Sequence, residues 1–233
     1  LRSIGIQPNM LVLRAEQPID QEHKNKISTF TDVPVDRIIE SIDAPSLFDV
    51  PLAFQKQGMD QKVCDFLHIE SPKPEADMKG WKKLDERAKN LKHHTKITLV
   101  GKYVELEDAY ISVTDALQHA GYLYNTKIDV DKVQAEDITD DNIAKIMEGS
   151  DGLIVPGGFG TRGLEGMITA IKYARENDIP FLGICLGMQM ASVEFARDIL
   201  NLEDANTTEA EPHCKNNIID ILSLIHISEP TRP

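Results

Sequence analysis

The residues with the most chemistry in them lie in Gly183-Ile-Cys-Leu-Gly187. An apolar run, Pro180-Phe-Leu-Gly-Ile-Cys185, leads into this pentapeptide, and an amphipathic stretch, Leu186–Leu200, leaves it. A cysteine where a buried strand turns into a helix is placed as a nucleophile elbow, with sulfur in the position of the serine oxygen of many hydrolases. The turn is tight, so the residues two before and two after the nucleophile must be small. Gly183 and Gly187 meet that demand. At the start of the helix, unpaired N–H groups and the positive end of the dipole favour thiolate, the form that attacks a carbonyl carbon. The plainer reading is an inert core cysteine. The flanking glycines, the strand–helix junction and the nearby Gln189 favour the nucleophile.

A second turn, Pro156-Gly-Gly-Phe-Gly160, ends the apolar run that starts at Gly152. In a doubly wound sheet both turns open on the same carboxyl edge, where ligands bind. The Gly158 and Leu186 N–H groups could then form an oxyanion hole for a tetrahedral acyl intermediate. The competing reading is a phosphate cradle, but no Gly-Lys-Ser/Thr follows. Acyl chemistry on cysteine also needs a proton shuttle, usually a histidine oriented by a carboxylate. His119 and His213 are the candidates, and neither lies at a strand end near the elbow. The His93-His94 pair has no Cys or acid at metal-binding spacing, so it reads as solvated chain.

The elements that must carry these turns follow from periodicity. Residues 10–14 and 37–41 read as short strands around a helix running from Asp20, its cap, to about Phe30. Residues 46–69 read as one helix with a single apolar face. Residues 71–95, opened by Ser71-Pro-Lys-Pro-Glu75, read as an interdomain linker with some helical content. Beyond it come strands at 97–101, 127–133, 152–156 and 180–185. They alternate with helices at 107–120 (ending on Gly121 as a cap), 142–147, 165–177 and 186–200. Apolar strands spaced by helices predict a parallel sheet covered on both faces.

Composition excludes several classes. The chain has 233 residues, 41% of them hydrophobic and 27% charged, which suits one large or two small folded domains. No apolar run approaches membrane-spanning length. The formal charge of −13, without a basic stripe, repels a phosphate backbone and excludes nucleic-acid binding. Three scattered cysteines, Cys64, Cys185 and Cys214, fit a reduced, cytoplasmic setting.

Gly183-Ile-Cys-Leu-Gly-Met-Gln189 with Pro156-Gly-Gly resembles the class I (triad) glutamine amidotransferases. Longer motifs narrow the likeness. The segments Ser3-Ile-Gly-Ile-Gln-Pro8, Val100-Gly-Lys-Tyr-Val-Glu-Leu-Glu-Asp-Ala-Tyr110 and Val155–Met167 resemble the CTP synthase family. The resemblance implies an α/β class I glutaminase-type sheet over residues 96–221, preceded by the C-terminal part of a P-loop-type synthetase (amidoligase) domain over 1–70. It implies ATP- and Mg²⁺-dependent amination of UTP to CTP with ammonia from glutamine, GTP as activator, CTP as inhibitor, no prosthetic group, and a homotetramer. By resemblance Cys185 is the nucleophile and Gly158 and Leu186 form the oxyanion site. Gly187, Met188, Gln189 and Glu209 then hold glutamine, and Arg162, Gly163 and Glu165 belong to the loop of GTP activation. Lys26 is matched to the UTP/CTP site, and Asp43 and Ala44 to the ATP site.

Residues 222–233 (LSLIHISEPTRP) change character and resemble a sequencing-adapter translation. The family's P-loop, its Mg²⁺ carboxylates and the His-Pro-Glu segment of the triad are not found in the sequence, so an inactive fragment is expected. The alternative in a different class is a glutaminase-like binding or regulatory module without catalysis.

Overall fold

The computed structural model describes residues 2–70, 77–106 and 108–220. The chain divides into two compact units, Leu1–Leu91 and Lys92–Pro233. The segment at 222–233 lies outside the described residues, as do 71–76.

Unit 1 opens with a parallel pair, β1 (Leu11–Ala15) and β2 (Ile38–Ile42), joined through α1 (Gln21–Thr31). The Asp20 carboxylate caps α1 by accepting the His23 N–H at 2.8 Å, and Asp32 closes it at φ 56°. Val33, Ile38 and Ile39 are buried against this pair's surroundings. The single helix expected over 46–69 is two helices, α2 (Asp49–Lys56) and α3 (Met59–Leu67). The break has a cause. The Gln57 side chain behaves as a neighbouring strand would, accepting the Glu40 N–H at 2.8 Å and donating to the Glu40 carbonyl at 2.9 Å. Gly58 then turns the chain at φ 70°, where glycine carries no penalty. The following α4 (Lys79–Lys89) belongs to unit 1. Trp81 stacks at a tilt on Phe48, 5.8 Å between ring centroids, and Lys89 bridges Asp49 and Asp85.

Unit 2 is a four-stranded parallel sheet in the order β4-β3-β5-β6, built from β3 (His93–Gly101), β4 (Thr126–Gln134), β5 (Gly152–Val155) and β6 (Phe181–Gly183). Between the strands run α5 (Ile111–Leu123), α6 (Ile143–Ile146) and α7 (Leu164–Glu176), and α8 (Leu186–Asp198) follows β6. Neighbouring strand residues point to opposite faces. Val100, Leu153 and Val155 join Met167, Ile171, Met190 and Val193 of α7 and α8 in the larger core. Leu99 and Ile154 face the other way, onto Tyr110 and Val113. The expected parallel sheet with helices on both faces is what the structure has. A small parallel pair, β7 (Asn206–Thr207) and β8 (Asn217–Ile219), follows.

The expectation at the end of α5 fails. Gly121 does not cap α5 but lies buried within it, where a β-carbon would come 2.5 Å from the Thr126 carbonyl oxygen. The glycine is there for close approach of the helix to β4, and Asn125, at φ 58°, makes the turn. No helix among the described residues is long and apolar enough to cross a membrane.

Candidate active site

Cys185 sits between β6 and α8 at φ 52° and ψ −104°, a conformation a non-glycine residue adopts only where its surroundings impose it. The surroundings are visible on both sides. The Ile184 N–H donates to the Val155 carbonyl at 2.9 Å, the Gly187 N–H to the Ile184 carbonyl at 3.0 Å, and the Gln189 N–H to the Cys185 carbonyl at 3.1 Å. A β-carbon at Gly183 would lie 2.6 Å from the backbone of Gly187 and Met188, and one at Gly187 would lie 2.0 Å from the Val155 oxygen. Both glycines are required by backbone atoms that cannot yield. The thiol itself is exposed at the N-terminus of α8.

The second glycine turn packs directly against this elbow. A β-carbon at Gly157 would lie 3.5 Å from the Cys185 Cβ, and one at Gly158 3.3 Å from the Leu186 side chain. The two turns singled out in the sequence are therefore neighbours across β5 and β6, at one edge of the sheet. Met188 is exposed and Gln189 half-buried in the first turn of α8. Glu209, beyond β7, reaches the same turn: its Oε1 accepts the Gly160 N–H at 3.0 Å.

Two of the remaining loop residues separate. Arg162 turns toward the end of β3, donating to Glu136 Oε2 at 2.5 Å and to the Lys102 carbonyl at 2.8 Å, with its guanidinium 6.0 Å from the Tyr103 ring centre. Gly163, at φ 71°, precedes α7 and lets the chain pass close to Ala135. Glu165 is tied instead to Arg197 in the last turn of α8, at 2.9 and 3.1 Å. In unit 1, Lys26 is an exposed helix residue paired with Glu22 at 2.7 Å, Asp43 lies 3.5 Å from Arg14, and Ala44 is exposed.

Among the described residues no histidine is hydrogen-bonded to Cys185. His23 pairs with Asp20 and His94 with Asp129; His119 lies against Tyr122, and His213 is exposed. His94, expected in a linker, belongs to the first residues of β3.

Sequence reasoning missed Lys102. It follows β3 and is 1% exposed, and its ammonium donates to the carbonyls of Phe159 at 3.1 Å and Gly160 at 2.5 Å. Burial holds its pKa below the usual lysine range; the charge of Glu209 opposes this, that of Arg162 adds to it, and that of Glu136 opposes it. The signal was available: a lysine directly after the buried end of a strand, Leu99-Val-Gly101, at the edge where the glycine turns open.

Comparison with known proteins bears on the family and the fold. Residues 1–69 match the family model of the CTP synthase N-terminus, and residues 105–223 that of glutamine amidotransferase class-I. A CTP synthase of Lactobacillus helveticus is 97% identical over 223 residues, 96% of this chain and 41% of that protein. CTP synthases of Lactobacillus acidophilus and Lactiplantibacillus plantarum are 91% and 57% identical over the same shares. The chain thus spans about two fifths of these relatives' length. The glutaminase domain of Trypanosoma brucei CTPS, solved with bound acivicin, superposes with a TM-score of 0.53 at 34% identity, covering 56% of this chain and 51% of that one. The chain belongs to the CTP synthase family, and its second unit carries a glutamine amidotransferase class-I domain of parallel α/β architecture.

Proposed function

We propose that unit 2 hydrolyses glutamine at Cys185 as part of a CTP synthase, an ATP-dependent ligase that aminates UTP to CTP. The observation that supports this most is the strained, exposed Cys185 at the start of α8 with the Gly157-Gly158 turn packed against it. In this reading Sγ attacks the side-chain amide carbon of glutamine. The carbonyl oxygen takes the negative charge and is met by the Gly158 and Leu186 N–H groups. Collapse of the intermediate breaks the C–N bond, releases ammonia and leaves a thioester, which water cleaves to glutamate. Gly187, Met188, Gln189 and Glu209 hold the substrate.

The remaining assignments are of the same standing. Arg162, Gly163 and Glu165 serve the response to GTP, Lys26 the pyrimidine nucleotide, and Asp43 and Ala44 the ATP. The working enzyme is a cytoplasmic homotetramer. Among the described residues no three His, Cys, Asp or Glu side chains converge as a metal site. The glutamine steps use the chain's own thiol and N–H groups.

The test is alkylation by a chloroketone analogue of glutamine, followed by peptide mass spectrometry. The expected result is an adduct on Cys185, blocked by excess glutamine, with Cys64 and Cys214 unmodified. Equal labelling of all three cysteines, or labelling that glutamine does not block, overturns the reading. A second reading, a glutamine-sensing or assembly module without turnover, is favoured by one observation, that no described histidine is bonded to the thiol. It predicts glutamine-protected labelling without ammonia release; steady ammonia release excludes it.

A further inference from the structure

We propose that Lys102 is a positioning residue for the Cys185 site: together with Glu209 it clamps the Phe159–Gly160 peptide and so fixes the shape of the glycine turn beside the thiol. The proposal rests on the glutaminase reading of Cys185 for its consequence, but its geometry stands on separate observations. The Phe159 carbonyl accepts from Lys102 Nζ at 3.1 Å while the N–H of the same peptide, on Gly160, donates to Glu209 Oε1 at 3.0 Å. One peptide group is thus held at both ends, by a cation and an anion. The next carbonyl, that of Gly160, accepts from the same ammonium at 2.5 Å.

The turn needs such a clamp. Gly157, Gly158 and Gly160 have no side chains to anchor them, and Gly160 stands at φ 73°, so its peptides can rotate at little steric cost. Lys102, by contrast, cannot swing. Its N–H donates to Tyr110 Oη at 2.9 Å, and its carbonyl accepts from Gln134 Nε2 at 3.0 Å and from Arg162 Nη2 at 2.8 Å. Its stem runs beneath the turn, 3.4 Å from where a Gly158 β-carbon would be. A buried ammonium is costly unless it is hydrogen-bonded and faces opposite charge. Two carbonyls and the nearby carboxylate of Glu209 meet that requirement. The Gly158 N–H, a donor to the oxyanion in the glutaminase reading, lies two peptide groups before the clamped one; the N–H between them, on Phe159, donates to Tyr103 Oη at 3.3 Å, so the clamp reaches Gly158 through a segment held at each step.

The test compares the full chain with Lys102→Met, Lys102→Arg and Glu209→Ala. Hydrogen exchange over residues 157–164 reads the turn; alkylation of Cys185 by the chloroketone analogue, set against iodoacetamide, reads its use. Lys102→Met is expected to speed exchange in that peptide about ten-fold, with α7 and β5 unchanged. At saturating analogue it slows alkylation about ten-fold, while iodoacetamide reacts within about two-fold of the parent rate. Lys102→Arg restores part of both. Glu209→Ala speeds exchange in the same peptide, and combining it with Lys102→Met adds little, as for two members of one unit. Unchanged exchange over 157–164 in Lys102→Met overturns the proposal, as does equal acceleration throughout unit 2. If Lys102→Met does not fold, Glu209→Ala decides alone, since its exposed side chain leaves the core intact; unchanged exchange there overturns the clamp. A parent chain that the analogue never labels at Cys185 refutes the glutaminase reading, while exchange still decides the clamp.

Discussion

The two units are built from the same parts, parallel strands joined through helices, and use them differently. Unit 2 seals its sheet on both faces, with Leu99, Ile154 and Tyr110 on one side and Val100, Val155, Met167 and Met190 on the other. In unit 1, among the described residues, the buried hydrophobics are Val33, Ile38 and Ile39. The candidate residues follow suit. Gly183, Gly187 and Cys185 owe their identity or conformation to backbone atoms pressed against them, whereas Lys26, Asp43 and Ala44 stand on the surface, the first two in exposed ion pairs with Glu22 and Arg14. A residue type forced by packing can be recognised from the chain itself. One chosen for a ligand cannot.

The strongest way to break this contrast is Gly187→Ala. Its β-carbon would lie 2.0 Å from the Val155 oxygen, and neither β5 nor the first turn of α8 can retreat without opening the core. A loss of about 4 kcal/mol is expected, followed by urea unfolding with exchange in α8 as the probe. A parent-like midpoint would mean that the elbow is looser than its contacts imply. Next comes Met190→Ala, at a side chain with no exposure, for which a core truncation costs about 3 kcal/mol. Cys185→Ser belongs beside these as a control of opposite kind: it removes the glutamine-protected label altogether and leaves the unfolding free energy in urea within about 0.5 kcal/mol of the parent.

Legibility in the sequence divides along the same line. Both glycine turns, the parallel sheet and the alternation of helices were readable because apolar runs and paired glycines are direct prints of burial and close approach. The single helix expected over 46–69 was not. Its break depends on the Gln57 amide meeting the Glu40 backbone, a contact between residues far apart in the chain. Gly121 was misread for a related reason: a glycine required by a neighbouring strand looks, in one dimension, like a glycine that ends a helix. Lys102 was passed over because burial of a lysine is so uncommon that a strand-end lysine reads as surface.

Unit 1 supplies a smaller effect. Lys26 touches Glu22 one helical turn away, both of them largely exposed, and such pairs contribute about 0.2–0.5 kcal/mol. Lys26→Ala is therefore expected to leave the unfolding midpoint, followed by Trp81 fluorescence, nearly unchanged. A larger loss would show that Lys26 is held by its own fold and would remove the contrast with the elbow.

The smallest effect is at the end of the unit 2 sheet remote from the thiol. Asp129 on β4 is held below the usual carboxylate range, first by its hydrogen bond to His94 and then by that to Lys127. A carboxyl whose folded value is depressed binds protons more weakly than in the unfolded chain. Its contribution is therefore complete above the unfolded value of about 3.9 and disappears as pH falls through the folded value. The gap in urea midpoint between the parent and Asp129→Asn should be small at pH 6, where the pair is exposed and screened, and should close below about pH 4. Added salt should narrow it at pH 6. A gap that persists unchanged to pH 3 would assign the contact to packing of the strand ends rather than to charge. The two ends of this one sheet would then be held by the same kind of force.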